Sequence, residues 1–293
     1  MKPPKLGYHL GGHGWAVKEW VGSFLPSGTP ASALLSAYSR QVNTVEGNST
    51  FYGLPEKNLV HRWMDQAADG FRFCFKFPRS ISHDHQLQSC QHETEAFLEI
   101  LHIAQENGHL GPAFLQMGPR FGGCCFHLLE AFLEQLPREF RYSVEVRHAD
   151  YFGGTAYEYQ LKQLLAAHQM ERMVFDTRAL HARPAADASE VRAQSKKPKV
   201  PLCQTAIGKT PMVRLVGSNT MRHNALWLTD WVPKIAEWIQ QGKTPYVFIH
   251  TPDDRFFPEQ AHAFHEALRK HCPQLPELPF QPIPHISPQL DLF

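Results

Sequence analysis

The chain has 293 residues, enough for one large domain or two small ones. Lys and Arg total 29 against 28 Asp and Glu, a formal charge of +1, which excludes a generally basic nucleic-acid coat, an acidic tail protein and a polybasic membrane binder. An apolar share of 43% excludes wholesale disorder, no apolar run approaches the roughly 18 residues of a membrane span, and the start MKPPKLGYHLGG lacks the apolar stretch of a signal peptide.

Short apolar runs alternate with helical patterns along the chain. A first strand is expected at 5–11 (KLGYHLG), after which Thr29 and Pro30 offer a cap and a first-turn proline ahead of ASALLSAYSRQ. The second strand, 42–48 (VNTVEGN), precedes PEKNLVHRWMDQAA, and the third, 71–77 (FRFCFKF), precedes ETEAFLEILHIAQENG with Gly108 as its C-terminal cap. Strands at 112–118 and 141–147 lead into CFHLLEAFLEQL and EYQLKQLLAAHQM. After a sixth strand at 172–177 the rhythm breaks. Residues 178–210 carry seven Lys or Arg against Asp187 and Glu190, without a clear long helix, and read as a lid, a binding loop or a disordered connection. Strands at 212–217 and 246–251 precede DWVPKIAEWIQQG and PEQAHAFHEALRKH; His262, His265 and His271 of the last helix are expected on its surface. Beyond Cys272 the proline-rich stretch PQLPELPFQPIPHISPQLDLF is expected to stay off the core, giving a domain over 5–272 and a flexible tail over 273–293.

Eight βα units with strands too apolar for a wet face predict an α/β fold, a single (β/α)8 TIM-type barrel. The rival doubly wound sheet usually carries a glycine-rich first turn, and neither G-x-G-x-x-G nor a P-loop is present. Six cysteines without a C-x-x-C read as reduced thiols, which places the chain in the cytoplasm.

A barrel keeps its chemistry at the C-terminal ends of the strands. Those ends carry Glu46, Lys76, Glu145, Arg147, Asp176 and Arg214 as candidate catalytic groups, and His13, Trp15, Asn48, Tyr52, His83, Gln116 and His250 as candidate substrate contacts. Glu46 and Asn48 lie two residues apart and share a face, as do Glu145 and Arg147. Charges on apolar strands must be paired or face a wet cavity, because an unpaired buried charge costs several kcal/mol. One reading is a structural ion-pair lattice plugging the barrel mouth. The other is a pocket in which Lys76, Arg147 and Arg214 hold a small anionic ligand while a carboxylate serves as general base or metal ligand.

The stretches GGHGW, FLPSGTP, VNTVEGNSTFYGLPEKNLVHRW and FRFCFKFPRSISHDHQL, continuing through PAFLQMGPRF, YSVEVRH, MVRLVG and YVFIHTPDD, resemble the YecE-like family, domain of unknown function 72. The resemblance implies a TIM-type barrel with an unassigned reaction. Glu46, Asn48, Thr50, Phe51 and Tyr52 match its signature, as do Trp15, Lys76, His83, Gln116, Glu145, Arg147 and Arg214. His13 stands where a small residue is usual, and His250-Thr251 replaces an Asn-Asn pair.

Three further features bear on function. His83-Asp84-His85, with Glu46, Glu145, Asp176 or His250, offers ligands for a divalent metal, though without an established zinc spacing. The basic loop 178–210 suits either a nucleic-acid backbone or plain solvent, and lacks interleaved aromatics for base stacking. The last five residues, Gln289, Leu290, Asp291, Leu292 and Phe293, resemble the bacterial sliding-clamp-binding motif, whose leucine and phenylalanine fill an apolar pocket. Together these predict an enzyme for an anionic, phosphate-containing substrate, recruited to the DNA sliding clamp, with a phosphodiesterase-like hydrolase on nucleic acid as its sharpest version. The alternatives are a non-catalytic ligand-binding or adaptor barrel and a small-metabolite isomerase or lyase.

Overall fold

The computed structural model describes residues 6–281. Its strands are β1 (His9–Gly11), β2 (Thr44–Gly47), β3 (Arg72–Phe75), β4 (Ala113–Gln116), β5 (Tyr142–Glu145), β6 (Glu171–Arg172), β7 (Val174–Asp176), β8 (Met212–Val216) and β9 (Tyr246–His250). They form three sheets, β1-β9-β8-β7, β2-β3 and β4-β5-β6, and every paired neighbour is parallel. Between them run α1 (Leu34–Gln41), α2 (Ser49–Tyr52), α3 (Lys57–Gln66), α4 (Gln91–Glu106), α5 (Phe126–Gln135), α6 (Ala156–Ala167), α7 (Arg178–His181), α8 (Ala188–Lys196), α9 (Val232–Gln240) and α10 (Phe257–His271). Parallel strands need such crossovers, which is why apolar runs and helical patterns alternate in the sequence.

A few hydrogen bonds link the sheets. The Glu46 amide donates to Gly12 O at 2.9 Å, joining the ends of β1 and β2; Phe77 N donates to Phe114 O at 3.0 Å and Gly111 N to Phe73 O at 2.8 Å, joining β3 to β4. The sixth expected strand is two pieces separated by Met173. The first piece pairs with β5 and the second with β8, so the chain changes partner at Met173, whose N–H donates to Val144 O at 2.9 Å.

Alternation along the strands separates two environments. Cys74, Phe114, Met173, Met212, Tyr246 and Phe248 pack on one another as an apolar floor. The intervening Val45, Phe73, Phe75, Leu115, Val144, Val213, Leu215 and Val247 belong instead to the large core shared with the helices. α4 ends as expected, with Gly108 at φ +71° just past Asn107, a left-handed turn open to glycine at no steric cost. The Thr29 hydroxyl, expected to cap a helix, donates back to Pro26 O, and the chain takes a short 3-10 turn before α1.

Three other expectations are corrected. The basic segment after β7 is not a bare loop: it holds α7 and the nine-residue α8, capped by Asp187, whose Oδ1 accepts from the Ser189 and Glu190 amides at 2.8 and 2.9 Å. The chain beyond Cys272 joins the core as far as Phe280, because Leu275, Leu278 and Phe280 are buried and Phe280 meets Phe24 edge to face. His265 is fully buried rather than on the surface of α10. Its Nδ1 lies 2.9 Å from the Tyr8 hydroxyl and its Nε2 donates to Pro276 O at 2.8 Å, so this histidine fastens the beginning of the tail. Among the described residues, no helix is long and apolar enough to cross a membrane.

Candidate functional site

β2 carries Glu46, β3 runs into Lys76, β4 and β5 end in Gln116 and Glu145, β8 carries Arg214 and β9 ends in His250. All rise from the same face as the apolar floor, one step further toward the C-terminal ends. Arg214 is the hub. Its Nη2 and Nε donate to the two oxygens of Glu46, each at 2.8 Å, and its Nη1 donates to Glu145 Oε2 at 2.6 Å. Glu46 also accepts from Asn48 Nδ2 at 2.7 Å and lies 2.9 Å from His250 Nε2, while Glu145 Oε1 accepts from Arg147 Nε at 2.6 Å. Gln116 Oε1 accepts from Lys76 Nζ at 2.8 Å and from Arg147 Nη2 at 3.0 Å. Aromatic faces complete the walls: Lys76 Nζ stands 3.7 Å from the Phe51 ring centre, and Phe175 lies against the guanidiniums of Arg147 and Arg214.

Both carboxylates are fully buried. Burial alone would raise their pKa values; Arg214 and His250 outweigh it at Glu46, and Arg147 and Arg214 outweigh it at Glu145, so both stay ionised below their usual range. His250 moves the other way, because burial outweighs the pull of Glu46 and holds the ring neutral well below 6.5. Lys76 is lowered to about 7, first by burial and then by Arg214. A saturated, ionised carboxylate is a poor proton acceptor. The group poised near neutrality is Lys76.

One member was not singled out from the sequence. Lys197, on the segment after α8, is lowered to about 8 by burial and by Arg214, and it feels Glu46, Asp254 and Arg147 as well. His181 Nε2 donates to Lys197 O at 2.8 Å and the Thr177 hydroxyl donates to Pro198 O at 3.0 Å, pinning this stretch back onto α7. The run Lys196-Lys197-Pro198-Lys199 was visible as charge, but which lysine turns inward depends on those two contacts. Phe175 was missed as well; its only sequence signal is its place one step from Asp176 in strand alternation.

The remaining expected residues divide. His13 stacks on His250 with ring centres 4.8 Å apart and pairs with Asp254 at 2.7 Å, so it borders the cluster. His83 does too: its ring meets Phe51 edge on, and burial followed by Lys76, Arg79 and Arg147 lowers it to about 4. Tyr52 is 83% exposed on the rim, its ring against Phe51. Trp15 is displaced from the cluster and packs edge on against Trp63 and Phe73, on the helix side of β3. Asp176 also points to the helix side, since Phe175 takes the inward position. Its carboxylate is held by Arg178 and by Trp231 Nε1 at 2.7 Å. The proposed metal ligands separate: Asp84 pairs with Arg79, His85 lies 3.4 Å from Glu93, and His83 Nδ1 turns to Ser82. Among the described residues no three His, Cys, Asp or Glu side chains gather as a metal site. Gln289 to Phe293 lie outside the described residues.

A family profile described as "Protein of unknown function DUF72" matches residues 9–284. The chain is 38% identical to the UPF0759 protein YecE of Escherichia coli K12 over 269 residues, covering 92% of this chain and 95% of that one. Among solved structures, a DUF72 family protein from Thermotoga maritima superposes with a TM-score of 0.66 at 18% identity, covering 91% of this chain and 99% of its own. One from Enterococcus faecalis gives 0.65 at 16% identity, with 94% and 100% covered. At these identities the structures speak to the fold.

Proposed function

The chain belongs to the DUF72 family, and from that premise we propose that it is an enzyme acting on an anionic, phosphate- or carboxylate-bearing substrate at the C-terminal ends of its strands. One observation carries this reading. Lys76, Arg147 and Arg214 meet only two carboxylates, Glu46 and Glu145, so three cations against two anions leave one positive charge uncompensated when Lys76 is protonated, and Lys197 adds a further cation whose charge is shared with Asp254. An anion seated between Lys76, Lys197 and Arg147 would restore the balance. Glu46 and Glu145 then act as anchors that orient the guanidiniums, and Lys76 is the group suited to proton transfer. Hydrolysis of a nucleic-acid phosphodiester is the version favoured by the terminal motif.

The links among the three sheets support one closed eight-stranded ring, with β6 and β7 as a single interrupted strand. Gly11 supports it too: a Cβ there would lie 2.1 Å from Thr44 O, so only glycine lets β1 approach β2 this closely.

Titration calorimetry with orthophosphate, a phosphomonoester and a small dicarboxylate tests the site. Wild type is expected to bind at least one of them, with affinity falling as pH rises through about 7 and 8, where Lys76 and Lys197 lose their protons. Lys76→Met should weaken binding at least tenfold and flatten the lower of those two steps. Binding that ignores Lys76, or no binding of any of the three, would remove the reading. Stabilisation by a ligand that is never turned over would mark a binding module instead.

Gln289, Leu290, Asp291, Leu292 and Phe293 support recruitment to a sliding clamp. A protein ending at Pro288 should lose clamp binding in a pull-down while melting at the same temperature as the full chain; retained binding would dismiss the motif.

A further inference from the structure

We propose that the N-terminal ends of the strands carry a second anion site, for a ligand with two or more phosphate groups. Two cavities open there, of about 310 and 560 Å³, within the size range of small-molecule sites. Arg141 and Glu139 line both, so the two adjoin. Arg72 lines the smaller one; Arg138 and Lys209 line the larger. These cations come from strand beginnings: Arg72 opens β3, Arg141 precedes β5 and Lys209 lies just before β8. With 29 basic residues against 28 acidic ones in the whole chain, such a local excess does not follow from composition.

Among the described residues, no carboxylate lies within ion-pair distance of Arg72, Arg138, Arg141 or Lys209. Arg72 spends its guanidinium on the backbone oxygens of Gly108 and Phe71. The two carboxylates that line the cavities are turned elsewhere: Glu171 accepts from the amides of Ile207 and Thr210 at 3.1 and 3.0 Å, and Glu139 lies 3.6 Å from His102. Arg141 therefore stands between two basic hollows with its five donors free of protein partners among the described residues, and guanidinium matches phosphate oxygens two at a time. One phosphate group fits one hollow; a ligand with two or more spans both and shares Arg141.

This site is independent of the lysine cluster. Arg72 and Lys76 lie four residues apart on one extended strand, roughly 13 Å at about 3.3 Å per residue, and they face opposite ends of it.

Calorimetry on the full chain with orthophosphate, pyrophosphate and tripolyphosphate, carried out in the Lys76→Met background, isolates the site. Tripolyphosphate is expected to bind at least tenfold more tightly than orthophosphate. Arg141→Gln should weaken it at least tenfold with the melting temperature unchanged, since the side chain makes no bond within the described fold; Lys209→Gln serves as a second variant if the first fails to fold. Tripolyphosphate binding that survives both substitutions, or that is no tighter than orthophosphate binding, would overturn the proposal. ATP and a short single-stranded oligonucleotide, run as further arms, separate a free nucleotide from a nucleic-acid source; either one binding through Arg141 supports it. Loss of orthophosphate binding in Lys76→Met concerns the other end of the strands, whereas absence of tripolyphosphate binding in that background overturns this proposal.

Discussion

Glu46 accepts two bonds from Arg214 and one from Asn48, and touches His250, with no water-exposed surface of its own. Neutralising it leaves a buried guanidinium short of charge, and breaking a buried pair in this way costs about 3–5 kcal/mol. Glu46→Gln should therefore lower the unfolding free energy by about that amount in urea titration; an unchanged midpoint would show that Arg214 re-pairs. The same groups set the acid limit. His250 is depressed below 6.5, so the unfolded chain takes up its proton first as pH falls, and stability begins to drop below that value. Glu46 and Glu145 are depressed below 4.5, so their stabilisation is present above that pH and is lost as pH falls further toward their folded values. Midpoints measured from pH 7 down to pH 3 should fall in two stages. A flat profile would mean that these shifts are not present.

Element by element, the contrast between Asp176 and Glu145 is instructive. Both sit at a strand end in the sequence, yet Glu145 faces the cluster and Asp176 faces the helices, because regular alternation from the inward Met173 gives the next inward position to Phe175 and turns Asp176 out. Asp176→Ala should cost about 3 kcal/mol or more by stranding Arg178 and the Trp231 N–H, with anion binding unchanged by calorimetry; a loss of binding would restore it to the site. The tail makes a similar point. Leu275, Leu278 and Phe280 are buried, at roughly 1.5–3 kcal/mol for each side chain. A chain ending at Cys272 should melt well below one ending at residue 281, and equal melting would show that those contacts contribute nothing.

At the scale of the molecule, the strand ends divide the protein into two poles, the charged cluster at one and the basic cavities at the other. Most of the first pole was legible in the sequence. Glu46, Lys76, Gln116, Glu145, Arg147, Arg214 and His250 could be read as strand-end polar residues because period-2 alternation and apolar neighbours mark both strand and face. Trp15 and Lys197 depend on partners distant in sequence, Trp63 and Phe73 for the first and His181 and Thr177 for the second, while Asp176 falls on the outward parity of its strand once Phe175 faces in. The pattern of α10 likewise places His265 on the surface, since the partners that bury it, Tyr8 and Pro276, are remote in sequence or beyond the helix.

By itself, then, the sequence determined the alternation of parallel strands and helices, the family, and the list of charges at the strand ends, all of which follow from local periodicity and residue chemistry. Only the tertiary structure decided which carboxylates are spent on arginine, which lysine joins them beside Gln116, and where the sixth strand changes partner. Those outcomes depend on which side chains the closing chain brings within about 3 Å, where a single hydrogen bond can redirect a charge.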